Sequence, residues 1–250
     1  MQKNPYLNQK FTKFINNENF EFNRSKILKI LNSDLLDDAY KTISKWQKYQ
    51  PTPLESLNKL SKELELKNIF YKDESKRFGL KSFKALGGAY AVKKITKGRK
   101  DIIVSTATAG NHGKSVAWGA KNLGLNCKIF ISENVSETRA EEMRNLNAEV
   151  IRIKGNYEDS LNFCKEESKK NNWEIIQDVS WPDYELVPKL TMAGYSTIIK
   201  EISVQTNEYI THIFLQAGVG GMAAGLVAGV ANILKRYQKL LLLSLKMQIV

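Results

Sequence analysis

Between Asn68 and Ala217 six short segments rich in β-branched, aromatic and aliphatic residues recur: NIFYKD, DIIVST, CKIFIS, EVIRIK, WEIIQD and HIFLQA. Most are separated by stretches long enough for a helix. Such a chain is expected to lay largely buried strands in a mainly parallel sheet, because parallel neighbours need a long crossover, usually helical. The intervening stretches carry the helical period. Val116, Ala120 and Leu123 stand at i, i+4 and i+7, and Tyr157, Leu161 and Cys164 repeat the spacing, so each trio is expected to form the buried face of a crossover helix. Cys164 is then a small core residue. Residues before about position 50 read as a lead-in of mixed helix and coil, closed by Pro51 and Pro53, which break any helix through SKWQKYQPTPLESL.

Open α/β sheets take ligands beyond the carboxyl ends of their strands, which singles out three strand-to-helix junctions. The first is FGLKSFKALGGAY, where Lys84 falls at or near a helix start, with Gly87 and Gly88 permitting close backbone approach. Water exclusion by Phe83, Ala85 and Leu86 would disfavour the ammonium and leave an amine able to attack a carbonyl. A solvent-facing lysine on an amphipathic helix fits the same residues, and the segment alone leaves both readings open. The second is STATAGNHGKS, a small-residue turn whose helix N-terminus suits a carboxylate or phosphate. Asn111 adds a neutral donor there, and His112 is either a titrating group or a capping or packing residue. The third is LQAGVGGMAAGL, whose Gly218, Gly220 and Gly221 can wrap amides around a phosphate or simply allow tight packing. It is not a dinucleotide fingerprint, since no acidic strand follows.

Composition removes other classes. Of 250 residues, 38 are basic and 26 acidic, a formal net charge of +12. The lysines spread over predicted helices without a basic arm, an aromatic ladder or zinc spacing, so they read as solvated faces and nucleic acid is not an expected partner. Cys127 and Cys164 lie in different predicted elements without metal spacing. Neither a structural disulfide nor a metal site is expected, and a reducing cytoplasm fits. The opening MQKNPYLNQKF lacks the apolar centre of a signal peptide, and no apolar run approaches the ~20 residues of a membrane span, so no membrane is expected.

Taken together, the three junctions resemble the fold type II (tryptophan synthase β-like) pyridoxal-phosphate enzymes. DESKRFGLKSFKALGGAYA, TATAGNHGKSVAW and QDVSWPDYELVPKLTMAGY are similar to segments of the diaminopropionate ammonia-lyase family, over roughly residues 38 to 237. The resemblance implies a two-lobed α/β fold, with residues 1–86 and 188–250 in a large cofactor-binding lobe and 87–187 in a small one. It implies pyridoxal 5'-phosphate as cofactor and Lys84 as the lysine that forms its imine. Asn111 would face the cofactor's phenolic oxygen, and Thr108, Ala109, Gly110, Asn111 and His112 would hold the substrate carboxylate. Gly218, Val219, Gly220, Gly221 and Met222 would cradle the phosphate. Asp178 would serve the substrate's second amine as partner or proton shuttle, or else cap a turn.

The implied reaction is α,β-elimination of 2,3-diaminopropionate, a small amino acid, to pyruvate and ammonia, in a cytoplasmic homodimer. Ala109 departs from the pattern, standing where the best-known form of the family carries an aspartate. TATAGNHG is nearer the serine and threonine dehydratases, which keeps that elimination as the alternative. The ending KLLLLSLKMQIV also departs, because the family continues with a further region expected to supply the partner of the pyridine nitrogen. The chain is therefore expected to be truncated, and a catalytically impaired fragment is the reading from a different class.

Overall fold

The computed structural model describes residues 22–234 and the backbone of 239–243. The opening stretch MQKNPYLNQKF and the last residues of KLLLLSLKMQIV lie outside the described residues. In chain order the elements are α1 (Arg24–Ile30), α2 (Ser33–Ile43), β1 (Leu54–Ser56), α3 (Asn58–Glu63) and β2 (Phe70–Lys72). A 3-10 turn, Glu74–Gly79, leads into α4 (Lys84–Thr96), β3 (Ile103–Ala107), α5 (Asn111–Leu123) and β4 (Asn126–Ser132). Then come α6 (Glu137–Arg144), β5 (Ala148–Ile153), α7 (Tyr157–Asn171) and β6 (Glu174–Ile175). The order closes with α8 (Leu186–Tyr195), α9 (Thr197–Gln205), β7 (His212–Gln216), α10 (Gly221–Ile233) and β8 (Lys239–Leu243).

The expected alternation holds, and its centre is a four-stranded parallel sheet in the order β5-β4-β3-β6. Ile129, Phe130 and Ile131 of β4 are all buried, as a strand covered on both faces requires. Two segments behave differently from expectation. NIFYKD supplies β2, which pairs antiparallel with β1 rather than joining the parallel sheet. HIFLQA supplies β7, parallel to β8 in a separate pair, and buries Leu215 while exposing Phe214. With one face toward the core, it alternates.

Helices α1, α2 and α7 start where an asparagine side chain meets their orphan amides. Asn32 accepts the Leu35 N–H at 2.8 Å ahead of α2, which buries Leu36, Ala39 and Ile43. Asn156 and Asp159 form a reciprocal capping box at the start of α7. Cys164 is buried in a small cluster with Ala107 and Phe130, as its periodicity implies. Tyr157 breaks from that face. It is exposed, at the sheet's carboxyl edge, because the first residue of a crossover helix precedes the sheet-covering turns.

The turn before α4 is fixed by buried charge and by aromatic rings. Arg77, 1% exposed, places Nη1 2.6 Å from Glu201 Oε1 and Nη2 2.7 Å from Glu74 Oε1, while Lys72 Nζ lies 2.7 Å from Glu201 Oε2. Phe78 adopts φ 50, an uncommon backbone for a bulky residue, and stacks on Trp118 at 4.7 Å. Burial raises the Glu201 carboxyl, but the bonds and charges of Arg77 and Lys72 outweigh it and hold the group below the ordinary glutamate value. Glu201→Ala is expected to destabilise the protein by about 3–5 kcal/mol in chemical denaturation at neutral pH, because it leaves the Arg77 and Lys72 cations with Glu74 alone to offset them. Since the folded carboxyl is depressed, the stabilisation is present above the unfolded glutamate value and lost as pH falls through the folded one, so the difference between variants must shrink in acid. A loss below ~1 kcal/mol at neutral pH would show the cluster to behave like a surface pair.

Candidate active site

All three glycine-bearing junctions open on one cavity of about 660 Å³. Lys84, Thr108, Gly110, Asn111, His112, Asp178 and Val219 line it. Of the other residues singled out, Ala109 and Met222 pack against the core, and Gly218, Gly220 and Gly221 lie beside Val219 without lining the cavity themselves.

Lys84 is the first residue of α4, and its Nζ lies 2.6 Å from Asp178 Oδ2, 94 positions further along the chain. The side chains are 23% and 14% exposed. The rings of Phe83 and Tyr195 each stand 5.8 Å from Nζ. The amine therefore does not sit among purely apolar neighbours, as its flanking residues suggest; a carboxylate faces it. Burial opposes the charge on Asp178, yet the neighbouring His112 and Lys84 outweigh that penalty and hold its carboxyl below the usual aspartate value.

Asp178 reaches the cavity because β6 stops after two residues. The Ile176 N–H still donates to the Ser105 carbonyl, but the Gln177 N–H donates to the Tyr184 hydroxyl, which donates in turn to the Ile175 carbonyl. The Gln177 side chain takes over the ladder. Its Oε1 accepts the Ala107 N–H at 3.3 Å and its Nε2 donates to the Ala107 carbonyl at 3.2 Å. The backbone can then leave the sheet without orphaning the end of β3. Nε2 also donates to the Tyr157 hydroxyl at 2.8 Å, which ties α7 to the same corner.

β3 hands over to α5 through Thr108, Ala109 and Gly110. Thr108 Oγ1 accepts the Gly110 N–H at 3.2 Å, and the first helical bond runs from the Lys114 N–H to the Gly110 carbonyl. The N–H groups of Asn111, His112 and Gly113 thus precede the helical ladder and favour an anion in front of them. A methyl at Gly113 would meet the Thr108 carbonyl at 2.6 Å, so the tight turn demands glycine. His112 is buried, with Nε2 2.9 Å from the Ile176 carbonyl.

The third junction makes a second anion-favouring end. Gly220 caps α10 at φ 87, a left-handed conformation suited to glycine, and the Ala224 N–H makes the first helical bond back to its carbonyl. Methyls built on Gly218 and Gly220 would meet nothing within 4 Å. Open space therefore lies in front of a loop of unladdered amides at a helix N-terminus.

The cavity also holds Glu158, Lys165 and Trp181, which the sequence did not single out, and Tyr157, which the periodicity placed on a buried face. Lys165 Nζ stands 4.1 Å over the Trp181 ring, which stacks on Tyr184 at 3.8 Å. The signal that could have found Tyr157 and Glu158 is the junction rule itself, since β5 to α7 is another strand-to-helix turn at the same end of the sheet.

Comparison with known proteins places this geometry in context. Residues 45–242 match the family model described as pyridoxal-phosphate dependent enzyme. A diaminopropionate ammonia-lyase of Escherichia coli is 37% identical over 206 residues, covering 74% of this chain and 52% of that protein. An L-threonine dehydratase of Haemophilus influenzae is 33% identical over 207 residues, covering 82% of this chain and 37% of that protein. The crystal structure of the Escherichia coli diaminopropionate ammonia-lyase in complex with D-serine superposes with a TM-score of 0.79 at 33% identity, covering 86% of this chain and 60% of that one. The chain spans about half the length of the curated ammonia-lyases it matches.

Proposed function

The chain belongs to the pyridoxal-phosphate dependent enzymes, and on that premise we propose that it eliminates ammonia from 2,3-diaminopropionate, the products being pyruvate and two ammonia. The observation that carries the proposal is Lys84 Nζ facing Asp178 Oδ2 at 2.6 Å in a cavity reached by both small-residue loops. The substrate is chosen because the ammonia-lyase relative is 37% identical and the dehydratase 33%.

The residues present fit the cofactor. Amides from Gly218 to Met222, with open space before the glycines and the N-terminus of α10 behind them, would hold its phosphate. Asn111 would donate to its phenolic oxygen, and Lys84 would be its covalent anchor. When bound, the group supplies a conjugated ring that absorbs the electrons left by the substrate's α-proton. The chain's own groups do the rest. The turn from Thr108 to Gly110 and the first-turn amides of α5 at Asn111 and His112 orient the substrate carboxylate. Lys84 Nζ takes the α-proton, and Asp178, in contact with that nitrogen, passes a proton toward the departing β-amine. Trp181 and Tyr157, which line the cavity, would limit water there.

We assign residues 1–86 and 188–250 to one lobe and 87–187 to the other, with Lys84 and Val219 contributed by the first and Asn111, Tyr157 and Asp178 by the second. A cytoplasmic homodimer acting on a small amino acid completes the proposal. Among the described residues no helix is long and apolar enough to cross a membrane.

The substrate choice is tested by kcat/KM. Diaminopropionate is expected to exceed L-serine and L-threonine, and the reverse order would move the protein to the dehydratases. Ala109 adds a stereochemical prediction, because a methyl group accepts no proton where the resembling family has a carboxylate. Lys84 then serves one face of the α-carbon, and L-diaminopropionate should react much faster than the D isomer. Ala109→Asp should raise the D rate by ~10²-fold, the contribution of one general base. Equal rates on both isomers, unchanged by the substitution, would give the second face to Asp178 or to water.

A further inference from the structure

Behind the Lys84–Asp178 pair sits a titratable ring that none of these steps uses. His112 is 3% exposed, so solvent supplies it no partner. Its Nε2 lies 2.9 Å from the Ile176 carbonyl. A carbonyl only accepts, so Nε2 carries the ring proton and Nδ1 presents a bare lone pair. Among the described residues that Nδ1 has no hydrogen-bond partner, and it faces Asp178 Oδ2 at 3.7 Å. The same oxygen holds Lys84 Nζ. A lone pair aimed at a carboxylate oxygen, with both groups withdrawn from water, is an electrostatic mismatch that one proton between them removes.

We propose that His112 is a positioning residue that stores the proton released by Lys84, receiving it on Nδ1 through Asp178. One N–H bond of the ammonium breaks, an O–H bond forms and breaks at Asp178, and an N–H bond forms at Nδ1. Ammonium, carboxylate and neutral imidazole become amine, carboxylate and imidazolium, and the net charge of the trio is unchanged. The ring and the carboxylate need close by only about 0.8 Å to reach hydrogen-bond distance. Lys84 is thereby left as a free amine while the proton waits on the buried ring. The inference rests on Lys84 acting as the base in the lyase proposal.

At rest, burial drives the ring below the ordinary histidine value, against the pull of Asp178. Lys84 on α4 and Asp178 beyond β6 are the charged groups that act on it. Tyr157, Tyr184 and the hydroxyl of Tyr195, which has no hydrogen-bond partner among the described residues, share the surroundings of Asp178.

The chain contains two histidines, which makes the test direct. In cofactor-free protein carrying ¹⁵N-histidine and His212→Gln, the remaining ring signal should show Nε2–H and an unprotonated Nδ1 at neutral pH. Lys84→Ala removes the cation that opposes an imidazolium, so the His112 midpoint should rise by more than about one pH unit; Asp178→Asn should lower it. Lys84→Gln serves as a second variant should the alanine form fold poorly. An Nδ1–H tautomer, or a midpoint indifferent to Lys84 in a folded variant, would overturn the inference. A histidine out of electrostatic reach of the two groups would respond to neither substitution. Because the measurement needs neither cofactor nor turnover, its failure is separable from failure of the lyase proposal, which is read by cofactor capture at Lys84.

Discussion

Replacing Lys84 with alanine is expected to lower turnover of diaminopropionate by at least ~10⁴-fold, because one substitution removes both the covalent anchor and the base. Among the described residues no neighbour is placed to substitute. Lys165 lines the same cavity, but its Nζ lies 4.1 Å over the Trp181 ring. Lys72 is held by Glu201 at 2.7 Å and by the Thr52 carbonyl. Borohydride reduction of cofactor-loaded protein should leave the cofactor on the peptide containing Lys84, read by mass spectrometry, and the alanine variant should retain none. Recovery on peptides bearing Lys72, Lys76, Lys81 or Lys165 would overturn the assignment.

Asp178→Asn is the second large effect, with kcat expected to fall ~10²–10⁴-fold. The amide has the carboxylate's shape and accepts a hydrogen bond from Lys84, but it cannot exchange a proton with it. The KM should change far less than kcat, since the anion-favouring ends of α5 and α10 are untouched. The native carboxyl is held below the ordinary aspartate value, so a limb of the pH–rate profile that reports Asp178 should appear only in acid. Asp178→Asn should abolish that limb. Unchanged kcat in the amide variant would reduce Asp178 to a capping role.

Local pattern made the junctions legible. The apolar runs and the 3.6-residue period located the strands that became β3, β4 and β5, and the helices that follow β3 and β5, while glycines marked the turns where α5 and α10 begin. What was not legible is what the fold brings together from afar. Asp178 meets Lys84 across 94 positions, a contact set by the place where β6 leaves the sheet. That departure depends on the Gln177 side chain standing in for a backbone, which no periodicity reports. Tyr157 was assigned to a buried face because spacing gives the face of a helix but not its height above the sheet. Arg77 sits in a segment that reads as a polar turn, yet it is 1% exposed, since its burial requires Glu201 from a distant helix. The antiparallel β1–β2 pair escaped notice because three residues beside two prolines carry little alternation.

The most direct measurement of the proposed chemistry is the ratio of ammonia to pyruvate released when cofactor-loaded protein is given 2,3-diaminopropionate as sole substrate. Elimination of the β-amine followed by hydrolysis of the remaining enamine requires two ammonia for each pyruvate, with pyruvate read by reduction to lactate and ammonia in a parallel assay. Interconversion of the two enantiomers with neither product released would contradict elimination and assign the Lys84–Asp178 site to proton exchange at the α-carbon alone.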